Sequence, residues 1–499
     1  MRAINLYMLT RDIKEDLKPM YEKSLSQRDE EIKIRNEELE LIKTIIANFI
    51  FLRADQECLE NWFYSFTIPQ IGKEFDLLKI GRNNIIVNLE LKSQEVPLEK
   101  IEKQLKQNQY YLSHLSKTIY SFTYMKCSDG DGKLFAYDGE LKICSFDELI
   151  SRINEVADPL PKNIEKFFRP KDYLISPLNT PEKFLNGKYY LNGQQEDIKK
   201  KIIDGINGSK KLWGIKGAAG TGKTLLLYDI VKTLSVNFRI CAVHCGILSE
   251  GHQYLNKHLK NVTIIDAKSL STEKLQEYEI VCVDETQRLY ESGLDTILTA
   301  YANGEINGCV FSYDYAQALS KSEIRSNNPK RLNEMEGYQE QKLTERIRTN
   351  IELFSFIRNM MRLYDKPHKP VEYRNVDVLF ANSVEEADKL SRIYRRKGYT
   401  FITFTPSQYK NSTIDHYSAF INSHQVIGQE FDKVLMVLDN NFRYNEKGEL
   451  EGREHPNPNY LFPKLFYQNI SRAREKLCII VLQNEVFFEK LLCLKENRF

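Results

Sequence analysis

The chain has 499 residues, more than the roughly 100 to 200 of one ordinary domain, so two to four domains are expected. Hydrophobic residues make up 42% and charged residues 28%, which excludes a disordered, collagen-like or fibrous chain. Lys and Arg number 71 against 69 Asp and Glu, a net charge of +2, so a nucleic-acid partner has to be met by local basic clusters.

From the N-terminus, Arg, Asp, Lys and Glu occur before any long apolar stretch, so no secretory signal is expected. Residues 11–45 carry dense alternating-sign charge and no Gly, which predicts a solvent-exposed helix or helical hairpin leading into the apolar stretch 42–52. The longest apolar run, 44–52, is shorter than the ~20 residues a membrane helix needs. Nine cysteines, an odd number without CxxC spacing, fit reduced thiols, and a cytoplasmic protein is expected. Cys241, His244 and Cys245 lie in an apolar run without a second ligand pair nearby, so they are read as strand and not as metal ligands.

Residues 74–80 and 85–92 alternate in polarity around Gly81-Arg82-Asn83-Asn84, a turn composition, and predict a β-hairpin. With its centre between residues 82 and 83, Asp76 falls opposite Leu89, and a small stagger brings it beside Glu90. Glu90 and Lys92, two apart, share a face. Two carboxylates and a lysine converging there suit metal-assisted phosphodiester hydrolysis, the acids holding Mg²⁺ or Mn²⁺ and the lysine orienting water. Residues 100–115 predict a helix with Gln104, Gln107 and Tyr111 on one face. This D…ExK pattern followed by QxxxY (Gln107 to Tyr111) resembles the PD-(D/E)XK nucleases of RecB type. The resemblance implies a mixed sheet with flanking helices, metal ligands Asp76 and Glu90, and candidate catalytic residues Asp76, Glu90, Lys92, Gln107 and Tyr111. It also implies a further acid from an early helix, with Glu38, Glu40, Glu57 and Glu60 as candidates. A strand with one charged face also yields ExK.

Five prolines between residues 158 and 181 break helices and disfavour central strands, marking a domain boundary. Beyond it, the apolar runs 240–243, 280–283, 310–311, 401–404, 434–438 and 477–482 alternate with helical segments, the pattern of parallel sheets buried on both faces. Gly217-Ala-Ala-Gly220-Thr221-Gly222-Lys223-Thr224 follows an apolar segment and opens a helical one, the order required of a phosphate-binding loop. Its backbone N–H groups cradle phosphates, Lys223 meets the β/γ-phosphates and Thr224 ligates Mg²⁺. Asp284 and Glu285 end the run 280–283, the first placed to hold Mg²⁺ through water and the second to polarise the attacking water.

Asp284-Glu285-Thr286-Gln287-Arg288 resembles the DEXQ motif of superfamily 1 helicases, and further motifs of that family follow in order. Leu191-Asn192-Gly193-Gln194-Gln195 resembles LNxxQ, which implies that Gln195 reads the adenine edge. Ser312 to Gln317 resembles GDxxQ, with Tyr313 where the family has Gly. Leu343 to Asn350 resembles the segment whose arginine reaches the γ-phosphate, with Arg346 and Arg348 as candidates. Gly428 to Asp432 resembles GLEFD and contains Glu430, and Asn469 to Arg474 resembles ALTRAR and contains Arg472. The resemblance implies a two-lobe motor in which Arg348 and Arg472 face Lys223 across the nucleotide while Gln287 and Gln317 sense its γ-phosphate. No version of the second family motif, which contacts the strand, is found, and there is no room for the large insertions of UvrD/Rep-type helicases, so ATP hydrolysis is implied more directly than unwinding.

The expected fold is α/β: a PD-(D/E)XK-like nuclease domain over 1–157, a Pro-rich linker over 158–188, and RecA-like parallel-sheet lobes over 189–342 and 343–499. This organisation resembles nuclease–helicase fusions of bacterial antiphage defence, which implies ATP and Mg²⁺ (or Mn²⁺) as cofactors, DNA or RNA as substrate, and a partner protein of the same system. An ATPase switch without unwinding, and a motor with a non-catalytic DNA clamp, are the alternatives. Tyr313 and Tyr315 and the basic run 392–397 receive no assignment, since core packing and a solvated helix face are the commoner roles of such residues.

Overall fold

Strict alternation of buried side chains to the two faces of a sheet organises the N-terminal part of the chain. The computed structural model describes residues 1–499 except 70, 129, 169–172, 174, 345–349, 365–370, 406–416, 418–419, 453–459 and 499. It divides into two units, residues 1–173 and 174–499.

The first unit is a six-stranded mixed sheet in the order β1 (Phe63–Thr67), β2 (Glu74–Ile80), β3 (Ile85–Lys92), β4 (Thr118–Lys126), β5 (Gly132–Tyr137), β6 (Leu141–Ile143). Strands β3 and β4 are parallel and the other pairs antiparallel. A parallel pair needs a crossover, and α2 (Leu98–Ser113) supplies it. One face buries Leu77, Val87 and Leu89 against Leu39, Ile42, Ile45 and Phe49 of α1 (Asn36–Phe51). The other packs Met125, Phe135 and Tyr137 under Ile101 and Leu105 of α2. Of the two expectations for the charge-dense segment 11–45, the single solvated helix does not hold: it contains a helix over Lys18–Ser26 and the start of α1, which turns its apolar stripe into the core.

In the second unit the expected apolar runs lie in two parallel sheets. The first lobe has the order β12 (Tyr338–Leu343), β7 (Leu212–Gly217), β11 (Gly308–Tyr313), β10 (Ile280–Asp284), β8 (Ile240–His244), β9 (Val262–Asp266). Helices α3 (Gly193–Asn207) and α4 (Lys223–Leu234) flank β7 in sequence. The second lobe has the order β13 (Val376–Ala381), β19 (Ala473–Leu482), β16 (Phe431–Leu438), β14 (Thr400–Thr403), β15 (Ile421–Asn422), with α5 (Val384–Arg396) and α6 (Phe462–Ile470) among its helices. Strands β17 (Phe442–Tyr444) and β18 (Leu450–Gly452) form a separate antiparallel hairpin.

The described residues of the proline-rich stretch include a strand bridge and a short helix. Pro159 bridges Gly81 within the first unit, and Pro181 opens a short helix, Pro181–Leu185, in the second. No described helix is long and apolar enough to cross a membrane.

Candidate nucleotide and phosphodiester sites

Between the end of β7 and the start of α4 the chain turns through Gly220 (φ +76°) and Gly222 (φ +83°), left-handed positions that favour glycine. Lys223 Nζ donates to the Ala218 carbonyl at 3.2 Å. Asp284, the last residue of β10, accepts from Thr224 Oγ1 at 3.2 Å and from Ser312 Oγ at 2.5 Å. A hydroxyl and a carboxylate meeting in an all-oxygen set fit a hard divalent cation. Glu285 follows in a left-handed conformation (φ +60°) and accepts from Gln287 Nε2 at 2.5 Å and Arg288 Nε at 3.3 Å.

The two neighbouring acids are driven apart. Burial, then the charge of Glu285, raises the Asp284 carboxyl above its ordinary range. Burial also pushes Glu285 upward, but the cations Arg288, Lys223 and Arg472 outweigh it and hold Glu285 ionised, well below the usual value. An ionised carboxylate next to a lysine and two arginines suits the polarisation of a water that attacks a phosphate.

The second lobe completes this site. Arg472, just after α6, donates through Nη2 to Gln317 Oε1 at 2.5 Å, and Gln317 Nε2 donates to Asp314 Oδ2 at 2.8 Å. Arg288 Nη2 donates to Gln468 Oε1 of α6 at 2.9 Å. Gln287 Oε1 in turn accepts from the Asp314 N–H at 3.1 Å. Lys223, Thr224, Glu285, Gln317, Glu430 and Arg472 line one small cavity with Gly220. Gln195 braces the loop, accepting from the Asn192 N–H at 3.2 Å and donating to the Thr221 carbonyl at 3.3 Å. Tyr313, which replaces a glycine of the family pattern, is buried and donates to Glu340 Oε2 at 2.5 Å. Arg346 and Arg348 lie outside the described residues.

In the first unit, Leu77 pairs with Leu89 and Ile80 with Ile86, so the turn is centred on Asn83, and the same register carried one residue past the last pair sets Asp76 opposite Glu90. Asp76 Oδ2 accepts from the Leu91 N–H at 2.8 Å. Both oxygens of the buried Glu90 are held from α2, Oε1 by Asn108 Nδ2 at 2.7 Å and Oε2 by Gln104 Nε2. The amides at this carboxylate are thus Gln104 and Asn108, not Gln107. Tyr111 packs its ring against Tyr110 and Tyr173. Lys92, half-buried, lies two residues beyond Glu90 on the same face.

Burial, then the charge of Asp76, pushes Glu90 up to about 8, and burial raises Asp76 as well. Lys73, in the β1–β2 turn, is pushed down by burial while Glu90 and Asp76 pull it up; sequence reasoning missed this second lysine. Among the candidate acids, the Glu38 carboxyl is raised by burial and then by the charge of Asp76, and it accepts from Tyr64 OH at 3.3 Å. Glu40 pairs with Lys43, and Glu60 accepts from Asn5. Two carboxylates that both resist ionisation fit a divalent cation, which would restore their charge. Among the described residues no group of three or more His, Cys, Asp or Glu is placed to hold one metal. A cation on Asp76 and Glu90 would therefore complete its shell with water and phosphate.

Residues 214–481 match the model of the viral superfamily 1 RNA helicase core domain. The chain belongs to this helicase family. Among solved structures it is similar to a Pif1 helicase from Bacteroides in complex with ADP-AlF3 and ssDNA (14% identity over 58% of this chain and 92% of that one, TM-score 0.33). It is also similar to Bacteroides sp Pif1 in complex with ADP-AlF4 (12% identity, 62% and 98%, TM-score 0.32). No curated protein matches.

The helicase core carries a second cavity, of about 790 Å³, where the carboxyl ends of β8, β9 and β10 face the second lobe. In parallel α/β sheets this edge is the usual place for a ligand. Lys268, Arg288, Tyr290, Arg325, His424 and Tyr460 line it, mixing cations with rings. The stretch 245–248 after β8 also lines it and contains no basic residue. In the basic run 392–397, Arg395 lies over the Phe420 ring and Lys397 over Tyr394. Tyr313 is core, and Tyr315 is 41% exposed beneath Lys216.

Proposed function

We propose that the chain couples its ATP-hydrolysing helicase core to a Mg²⁺- or Mn²⁺-dependent nuclease in residues 1–173, acting on DNA and serving defence against phage or foreign DNA with a partner protein of the same system. The observation that carries the nuclease reading is the pairing of Asp76 with Glu90 across β2 and β3, beside Lys92 and under the two amides of α2. This is the arrangement expected of a PD-(D/E)XK fold. A cation held by Asp76 and Glu90 would supply Lewis-acid polarisation of the scissile phosphate. Lys92 orients the attacking water and stabilises charge developing on phosphate. Gln104 and Asn108 fix the orientation of Glu90. In the core, Lys223 and Arg472 stabilise the γ-phosphate, Thr224 and Asp284 hold the cation, and Glu285 polarises the water. Single-stranded nucleic acid is the occupant proposed for the 790 Å³ cleft, its cations meeting phosphates and Tyr290 and Tyr460 offering rings to bases.

The test is cleavage of linear, circular and single-stranded DNA, and of RNA, with Mg²⁺ or Mn²⁺, with and without ATP. Lys92→Ala is expected to abolish cutting with ATP hydrolysis intact, and Lys223→Ala to abolish hydrolysis and the ATP response of cutting. A wild type that hydrolyses ATP and cuts nothing, with Asp76→Ala and Lys92→Ala behaving identically to it, overturns the nuclease in favour of a non-catalytic clamp. The absence of basic residues in 245–248 favours a second reading of the core, an ATPase switch that grips nucleic acid without separating strands. Unwinding of a tailed duplex separates the two.

A further inference from the structure

Strand β8 ends at His244, the register partner of Asp284 on β10 and of Asp266 on β9. The side chain is fully buried, and neither ring nitrogen has a hydrogen-bond partner among the described residues. A buried polar group without a partner costs its full desolvation, so such groups are rare and mark a role. Nδ1 of this ring lies 3.9 Å from Asp284 Oδ2, about 1 Å beyond a hydrogen bond.

The ring sits in a slot kept open by two glycines. A Cβ on Gly246 would lie 2.8 Å from Nε2, and a Cβ on Gly428 of the second lobe 3.4 Å from Cε1. Behind it stands the His252 ring, with centroids 4.2 Å apart. His244 therefore touches the backbone of the GLEFD-like segment on one side and faces the metal-holding carboxylate on the other. Burial keeps it neutral, with its pKa down to about 4, and a neutral imidazole can still donate one N–H.

Resting on the role proposed above for Asp284, we propose that His244 is a positioning residue for ATP hydrolysis: it donates Nδ1–H to Asp284 Oδ2 through one water, or directly after a shift of about 1 Å, and so fixes the carboxylate that would hold the cation. Asp284 Oδ1 is held by the Ser312 hydroxyl and by the Glu285 N–H at 3.2 Å, but Oδ2 has only the Thr224 hydroxyl, which must also serve the cation. The donor on His244 links the position of Gly428 to the orientation of Asp284.

The experiment compares His244→Leu, His244→Asn and His244→Gln in the full chain by binding of a fluorescent ADP analogue with and without Mg²⁺, and by steady-state ATPase. Asn places an amide N–H near the position of Nδ1, Gln near Nε2. The Leu variant is expected to bind the analogue as wild type does without Mg²⁺, to lose about tenfold of the Mg²⁺-dependent gain and to lower kcat by a similar factor, with KM for ATP nearly unchanged. The Asn variant should recover most of both and the Gln variant little. Wild-type behaviour of the Leu variant overturns the proposal. So does equal loss in the Asn and Gln variants, which would make the ring a packing element. Should the Leu variant fail to fold, the Asn and Gln pair still decides.

Discussion

Each unit sets acidic chemistry on or just after buried strands, but the two sites treat their charges in opposite ways. In the helicase core Glu285 is surrounded by Arg288, Lys223 and Arg472 and stays ionised at full burial. In the first unit Asp76 and Glu90 face each other and are both pushed toward the neutral form, though Lys92 and Lys73 are near. A site that carries its own counter-charges is organised before its ligand arrives; a site of mutually repelling acids is organised by the cation it takes up. The core resembles the first kind, and the proposed nuclease site on the interior strands β2 and β3 would be of the second.

The largest effect expected from breaking this contrast is on catalysis. Glu285→Gln removes the ionised carboxylate while leaving the phosphate loop, and kcat for ATP should fall roughly a hundredfold to ten-thousandfold with nucleotide affinity retained; steady-state ATPase and a binding titration check it. Next comes the support of Glu90. Asn108→Leu leaves one oxygen of Glu90 without its amide, and the Mn²⁺ concentration for half-maximal cleavage should rise about tenfold to a hundredfold, whereas Gln107→Leu should change it little. A reversed order would return the role to Gln107 and Tyr111.

That pair of residues also shows what the sequence could convey. The apolar runs that became β8, β10, β16 and β19 were legible because a strand covered on both faces must be apolar throughout. The phosphate loop was legible because its glycines are demanded by local backbone geometry. The amides of α2 were legible only in part: Gln104 lay on the expected face, but successive residues turn by about 100°, so a choice between Gln107 and Asn108 rests on which side of the helix meets the sheet, and that follows from Leu105 and Leu112 being buried. Asn84 adopts φ +60° and shifts the hairpin centre by half a residue, which aligns Asp76 with Glu90. Glu38 was indistinguishable from three other glutamates until the fold placed Tyr64 beside it. Arg288 and Gln468, 180 positions apart, carry no local signal of their hydrogen bond.

Stability should follow the same contrast with smaller numbers. Glu285→Gln leaves Arg288 and Arg472 buried without their counter-charge and should cost the core about 3 kcal/mol. Glu90→Gln, in metal-free buffer, removes a charge that the fold resists and should leave the first unit unchanged or more stable by about 1 kcal/mol. Hydrogen exchange resolved by peptide separates the two units within the full chain. Added Mn²⁺ should protect the first unit of the wild type and not of Glu90→Gln.

The smallest effect is the response to acid, and its sign distinguishes the units. His244, His252 and His424 belong to the helicase core, and burial lowers their pKa values from 6.5 to about 4, about 2 and about 4. Well above pH 6.5 all three are neutral whether folded or unfolded, so they add no pH dependence. Below 6.5 the unfolded chain takes up protons that the folded core refuses, and stability is lost as the pH falls, at about 1.4 kcal/mol per pH unit for each histidine, until its folded value is reached. Exchange of core peptides should therefore accelerate steadily between pH 6 and 5 after correction for the intrinsic rate. His424→Asn should remove about a third of the histidine contribution to that slope, because it removes one of the three groups and keeps a polar partner for Thr405. A slope that His424→Asn leaves intact would move the acid response away from these rings and onto the carboxylates.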